Sequence, residues 1–168
     1  MKQDEFERIQ LVITHCDMLL YNAEQSYSQD LIDLGIQSMI PVLHNQFAFM
    51  HLVSTMFLVD KNHNSMGGAC YKLLEPIGLA NLLDQIKNVL NKPVGRITLG
   101  QYIRINRNKL TVHGDLKFNS LPQYIRDVTF NEEAIEQFIT AGQMLINGVQ
   151  VLREKLKIIL VTKHKNRE

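Results

Sequence analysis

Apolar residues recur at helical spacing along most of the chain. Phe6, Ile9, Ile13, Cys16 and Leu20 recur every three or four positions, which predicts an amphipathic helix packed on one side. Asp4 can cap it, with Glu5 and Glu7 at the positive end of its dipole. Ser26-Tyr27-Ser28-Gln29-Asp30 reads as the break before a second helix, which is charge-poor: no Asp, Glu, Lys or Arg occurs between Asp33 and Asp60. Met39 to Val59 is long enough to cross a bilayer core, but His44, Gln46, His51 and Ser54 would each cost free energy in hydrocarbon. The expectation is a helix buried among others, kinked near Pro41, where a backbone donor is missing. His44 and His51, two turns apart, read first as hydrogen-bonded core histidines, with a polar seam or a ligand site as alternatives.

Asp60 to Gly68 reads as a loop, with Gly67 and Gly68 for turning. Its Asp60, Asn62 and Asn64 imitate a calcium loop, yet Ser65 stands at the required glycine and Tyr71 at the required glutamate, so calcium is rejected. A third helix is expected over Pro76 to Leu90, with Pro76 in its first turn. Asn91-Lys92-Pro93-Val94-Gly95 ends it, and Thr98 with Gln101 has capping-box spacing for the start of a fourth helix. Gly114 fits the residue just past that helix. Residues 115–130, with Ser120-Leu121-Pro122, form a long connection, either a substrate-contacting loop or one that merely packs. Asn131 can cap the last helix, whose apolar positions from Ile135 through Phe138, Ile139, Leu145, Val149, Leu152 and Leu156 to Leu160 persist for many turns. That stripe is too long for one small bundle to cover, which points to a partner. The expected fold is all-α: one helical domain over 1–168, a bundle of about five helices with a basic end at about 161–168.

Composition narrows the function classes. The chain has 168 residues, 18 Lys and Arg against 17 Asp and Glu, and a net charge of +1. No global field points to nucleic acid, so any basic groove must be local. Cys16 and Cys70 lack metal-ligand spacing and read as reduced thiols of a cytoplasmic protein. The first residues lack the charged and apolar regions of a signal peptide. The expectation is a cytoplasmic protein without membrane span, metal or cofactor.

The chemistry is concentrated in Arg104-Ile105-Asn106-Arg107-Asn108-Lys109-Leu110-Thr111-Val112-His113-Gly114-Asp115. Arg107, followed by the polar Asn108 and then by His113, resembles the Arg-polar-x-His signature of the HEPN superfamily, small helical proteins of which many are metal-independent ribonucleases. The His-Gly-Asp continuation, a loop and a long final helix resemble its abortive-infection branch. Asp115 stands where the nucleotidyltransferase-paired branch often has tyrosine, so regulation by nucleotide addition is not implied. Arg8 and His15 repeat the bare pattern, but Ile9 follows that arginine and the segment reads as an ordinary helix with a solvated or boundary pair.

The resemblance implies a HEPN-like bundle, a homodimer whose two motifs face each other, an RNA substrate and cleavage that leaves a 2′,3′-cyclic phosphate. Histidine can act as base or acid near neutral pH, and arginine offers a permanent charge to phosphate oxygens, so Arg107 and His113 are the catalytic candidates. Six positions on an unbroken helix put them about 120° apart and ~9 Å along the axis, so the helix must end before His113 or a second copy must complete the site. Asn106 and Lys109 share a helical face with His113 and are candidate substrate-positioning residues. Asn108 can orient Arg107 or the histidine, Arg104 can add a phosphate contact, and Asp115 can orient His113 or cap the turn. The leading expectation is an endoribonuclease of a toxin or phage-defence type, with an antitoxin-like protein as a further partner. The alternatives are a non-catalytic helical interaction or regulatory protein and a small-nucleotide-binding protein.

Overall fold

The computed structural model describes residues 3–26, 36–58, 66–106 and 132–165. Six helices lie among them: α1 (Gln3–Ser26), α2 (Ile36–Phe57), α3 (Met66–Leu74), α4 (Ala80–Leu90), α5 (Leu99–Asn106) and α6 (Glu132–Lys165), with a hairpin of β1 (Pro93–Val94) and β2 (Ile97–Thr98) between α4 and α5. The all-α bundle expected from periodicity is what forms. No helix among the described residues is long and apolar enough to cross a membrane.

One core joins the helices. Ile9, Cys16 and Leu19 of α1, Val53 and Phe57 of α2, Leu83 and Ile86 of α4, Ile103 of α5 and Leu145, Leu152 and Leu156 of α6 are almost fully buried in it. α6 runs antiparallel to α1, because Lys163 bonds Glu5 at 2.8 Å and Arg153 bonds Asp17 at 3.1 Å.

Four local expectations are corrected. Gly67 and Gly68 lie in the first turn of α3 rather than in a loop: burial of Cys70, Leu73 and Leu74 on one face outweighs the low helix propensity of glycine. The third expected helix begins at Ala80, not Pro76. Pro76 lies in a turn that closes α3, with Leu79 N–H donating to Leu74 O at 2.8 Å and Gly78 N–H to Glu75 O at 3.1 Å. Gly78 has φ +74°, so these bonds are a Schellman closure built on glycine in the left-handed region. Third, His51 is exposed rather than a core histidine; the side chain of His44 lies outside the described residues. Fourth, Ile135 and Ile139 are 47 % and 61 % exposed, and the buried line of α6 starts instead with Ala134 and Ala141. Leu145, Val149, Leu152 and Leu156 are buried as the periodicity predicts; only over the first turns of α6 does the inward face lie a fraction of a turn from the expected one.

The hairpin was not anticipated, since two-residue strands carry no readable alternation. Val94 pairs with Ile97 and Pro93 with Thr98. Of the residues in its turn only Gly95 has positive φ, +63°, the pattern of a II′ turn. Gly95 N–H donates to Gln137 Oε1 at 2.9 Å, and a Cβ on Gly95 would come within 3.3 Å of Ala134 Cβ. Glycine thus fits the hairpin tip against the first turn of α6.

Candidate functional site

The helix that leads into the Arg107–His113 segment is fixed at its amino end by the expected capping box. Thr98 N–H donates to Gln101 Oε1 at 2.9 Å, and Gln101 N–H donates to Thr98 Oγ1 at 3.2 Å. Each satisfies a donor that a helix start leaves open. Gly100 permits close packing: a Cβ there would lie 3.1 Å from both Leu58 Cδ2 and Leu90 O. Leu99 and Ile103 are buried beneath it.

The carboxyl end of the described part of α5 is tied to two other helices. Arg104 Nη2 donates to Leu58 O at 2.8 Å, a carbonyl just past the end of α2. Tyr102 packs edge-on against Phe138 of α6, with ring centroids 5.1 Å apart. Asn106 is 2 % exposed, and its Nδ2 donates to Tyr102 O at 2.8 Å. Of the two expected substrate-contacting residues described, Arg104 is therefore exposed and bound to the bundle, whereas the Asn106 amide is held inside it. Arg107, Asn108, Lys109, His113 and Asp115 lie outside the described residues.

Beside α5 is a cavity of about 120 Å³ lined mainly by Phe49, Met50, Tyr102, Phe138 and Gly142, with Gln46 as its polar wall. Sequence reasoning passed over Gln46 and Phe49, because nothing in the charge-poor pattern of α2 distinguishes a cavity wall from a core contact.

The remaining candidates are accounted for by structure. Arg8 is exposed, and His15 Nδ1 lies 2.8 Å from Leu11 O, a bond in which the ring must donate. The pair that duplicates the motif spacing thus belongs to an ordinary helix surface. Cys16 and Cys70 are fully buried, and burial pushes each thiol up to about 12, so neither is poised as a nucleophile. Among the described residues no group of three or more His, Cys, Asp or Glu could hold a metal ion.

The arrangement defines an all-α bundle that holds the start of a cation- and amide-rich segment on a helix tied at its start and again at Arg104. No family model, curated protein or solved structure matches the chain.

Proposed function

We propose that the chain is a metal-independent endoribonuclease of the HEPN-like kind, cytoplasmic and acting as a homodimer in phage defence or a toxin pair, with Arg107 and His113 as its catalytic residues. The observation that carries the reading is the sequence Arg107-Asn108 with His113 five residues further on, following in the chain a described helical stretch held by the capping box and the Arg104–Leu58 bond. Such anchoring limits the entropy lost when a short segment is brought to a substrate.

In the proposed reaction a base takes the proton of the ribose 2′-hydroxyl, and the 2′-oxygen attacks the adjacent phosphorus. The bond to the 5′-oxygen breaks, leaving a 2′,3′-cyclic phosphate and, once that oxygen is protonated, a 5′-hydroxyl. His113 serves as base or acid, and the Arg107 guanidinium meets the charge that accumulates on the phosphorane. Asn108, Lys109 and Asp115 orient these groups or the substrate, and Arg104 adds positive charge beside them.

The test is cleavage of a labelled RNA mixture in EDTA by the wild type, Arg107→Ala and His113→Ala, with circular dichroism as the check on folding. Each variant is expected to lose activity by about a hundredfold or more while His113→Ala keeps RNA affinity. Cleavage undiminished in a folded His113→Ala protein would sink the assignment. The second reading, a non-catalytic interaction protein, is favoured by one specific observation: Ile158 and Val161, one helical turn apart on α6, are 59 % and 57 % exposed, adjacent apolar side chains of the kind that interaction patches carry. It predicts no cleavage by the wild type.

A further inference from the structure

Two features beside α5 are not explained by the packing of the bundle. The first is Gln46. A cavity of about 120 Å³ lies between α2, α5 and α6, walled by Phe49, Tyr102, Phe138 and Met50. Gln46 is the one amide among its described lining side chains, and none of them is charged. That side chain is half-buried, and among the described residues it makes no hydrogen bond. A polar group withdrawn from water without a partner is costly.

The second is Gly142. It stands inside a 34-residue helix, where alanine is the better residue, and a Cβ there would meet nothing among the described residues within 4 Å. Alanine is therefore sterically free and favoured, and it would reduce an empty space whose lining atoms forfeit contacts. An empty cavity gives no reason for the glycine, whereas an occupied one does. Gly142 is also the one described residue shared by the cavity and the open cleft of about 710 Å³ between α1 and α6, which Leu20 and Ile146 border.

We propose that the cavity is a binding site for a neutral one-ring aromatic molecule with a single hydrogen-bonding group, entered from the cleft over Gly142. Size, lining and polarity each select this class. A cavity of ~150 Å³ lined by Leu, Ile and Phe stays dry and holds one benzene. About 120 Å³ thus suits one ring and is too small for a nucleotide or a peptide. The aromatic walls offer offset or edge-to-face contacts, and the thioether of Met50 is a favourable neighbour for a ring edge. Water is disfavoured, because it needs two to four polar partners, more than one amide wall supplies.

The Gln46 amide can donate or accept, so a hydroxyl or amino substituent on the ring satisfies it. A carboxylate would instead enter with a buried charge that no cation meets. A ligand of about seven non-hydrogen atoms makes limited contact, so Kd is expected on the order of 0.1–1 mM. None of the lining residues belongs to the 104–115 segment, so the site stands or falls apart from the nuclease reading.

The test is titration of the full chain with phenol, toluene and benzoate. Phenol should bind at one site with Kd in that range, and at about 5 mM it should raise the thermal midpoint by a few degrees. Nuclear Overhauser effects should join the phenol ring to the Met50 methyl group, a readout that depends on no variant folding. Gln46→Leu should weaken phenol about tenfold and leave toluene unchanged or tighter. Gly142→Leu, with wild-type circular dichroism, should weaken both at least about tenfold, and benzoate should not bind. Absence of saturable phenol binding up to about 10 mM overturns the proposal. So do bound phenol that makes no contact with Met50, and a folded Gln46→Leu protein that keeps its phenol affinity.

Discussion

The two flanks of α6 are covered to different extents. Along one, α1 lies antiparallel for 24 residues, closed toward one end by the Glu5–Lys163 and Asp17–Arg153 ion pairs; toward the other, Leu20 and Ala23 share with Ile139 and Ile146 an open cavity of about 710 Å³, and Ile139 is 61 % exposed. Along the other flank α4 has only 11 residues, ~17 Å against ~51 Å for α6 at helical rise. The side chains exposed on that side follow from neighbour length, not from weaker periodicity: Val151 is 46 % exposed and Leu152, the next residue, is fully buried. An apolar period specifies that a helix forms; the length of each neighbour decides which of its lines becomes core.

The contrast between those adjacent residues gives the largest expected effect. Leu152→Ala removes a fully buried side chain and should cost about 2–5 kcal/mol, transfer and cavity terms together. Val151→Ala, measured by denaturant unfolding at a concentration low enough to keep the chain monomeric, should change stability by no more than about 0.5 kcal/mol. Equal losses at the two positions would mean that the outer flank is covered within one chain.

Two glycines sharpen the comparison at the next level. Gly148 faces α4, where a Cβ would meet Ile86 Cγ1 at 3.0 Å, while at Gly142 nothing among the described residues lies within 4 Å. Both sit inside a 34-residue helix, where alanine is favoured over glycine by about 0.5–1 kcal/mol. Gly142→Ala should therefore raise the thermal midpoint by a few degrees. Gly148→Ala should lose that gain and more, about 1 kcal/mol net, because α4 or Ile86 must shift. A stabilising Gly148→Ala would show that α4 yields easily at Ile86.

The fold was largely legible in the sequence, and for identifiable reasons. The stripes of α1 and α6 extend over many turns, and the Thr98–Gln101 box is a local signal that needs no tertiary information, so the start of α5 was read correctly. α3 was missed because Gly67 and Gly68 argue against a helix locally and only burial of Cys70, Leu73 and Leu74 reverses the balance. Pro76 was assigned to the wrong helix because proline fits a turn after one helix as well as the first turn of the next; Gly78 was the discriminating residue. At the candidate site, the basic and amide residues from Arg104 onward were legible as a cluster. The bond from Arg104 to Leu58, 46 positions away, and the inward burial of Asn106 depend on tertiary packing that no local pattern encodes.

The smallest expected effect lies on the covered flank, at the Glu5–Lys163 pair. Its atoms are 2.8 Å apart, with the side chains 31 % and 37 % exposed, so solvent screens part of the attraction. Glu5→Gln should cost only about 0.2–1 kcal/mol, and the cost should shrink as salt is raised from low to physiological ionic strength. A double-mutant cycle with Lys163→Ala, read by thermal unfolding at the two salt concentrations, isolates the coupling. If the pair contributes this little, α1 is held to α6 by its apolar contacts, with the ions fixing register. A coupling several times larger and insensitive to salt would instead make the ion pair the reason that one flank is covered and the other is not.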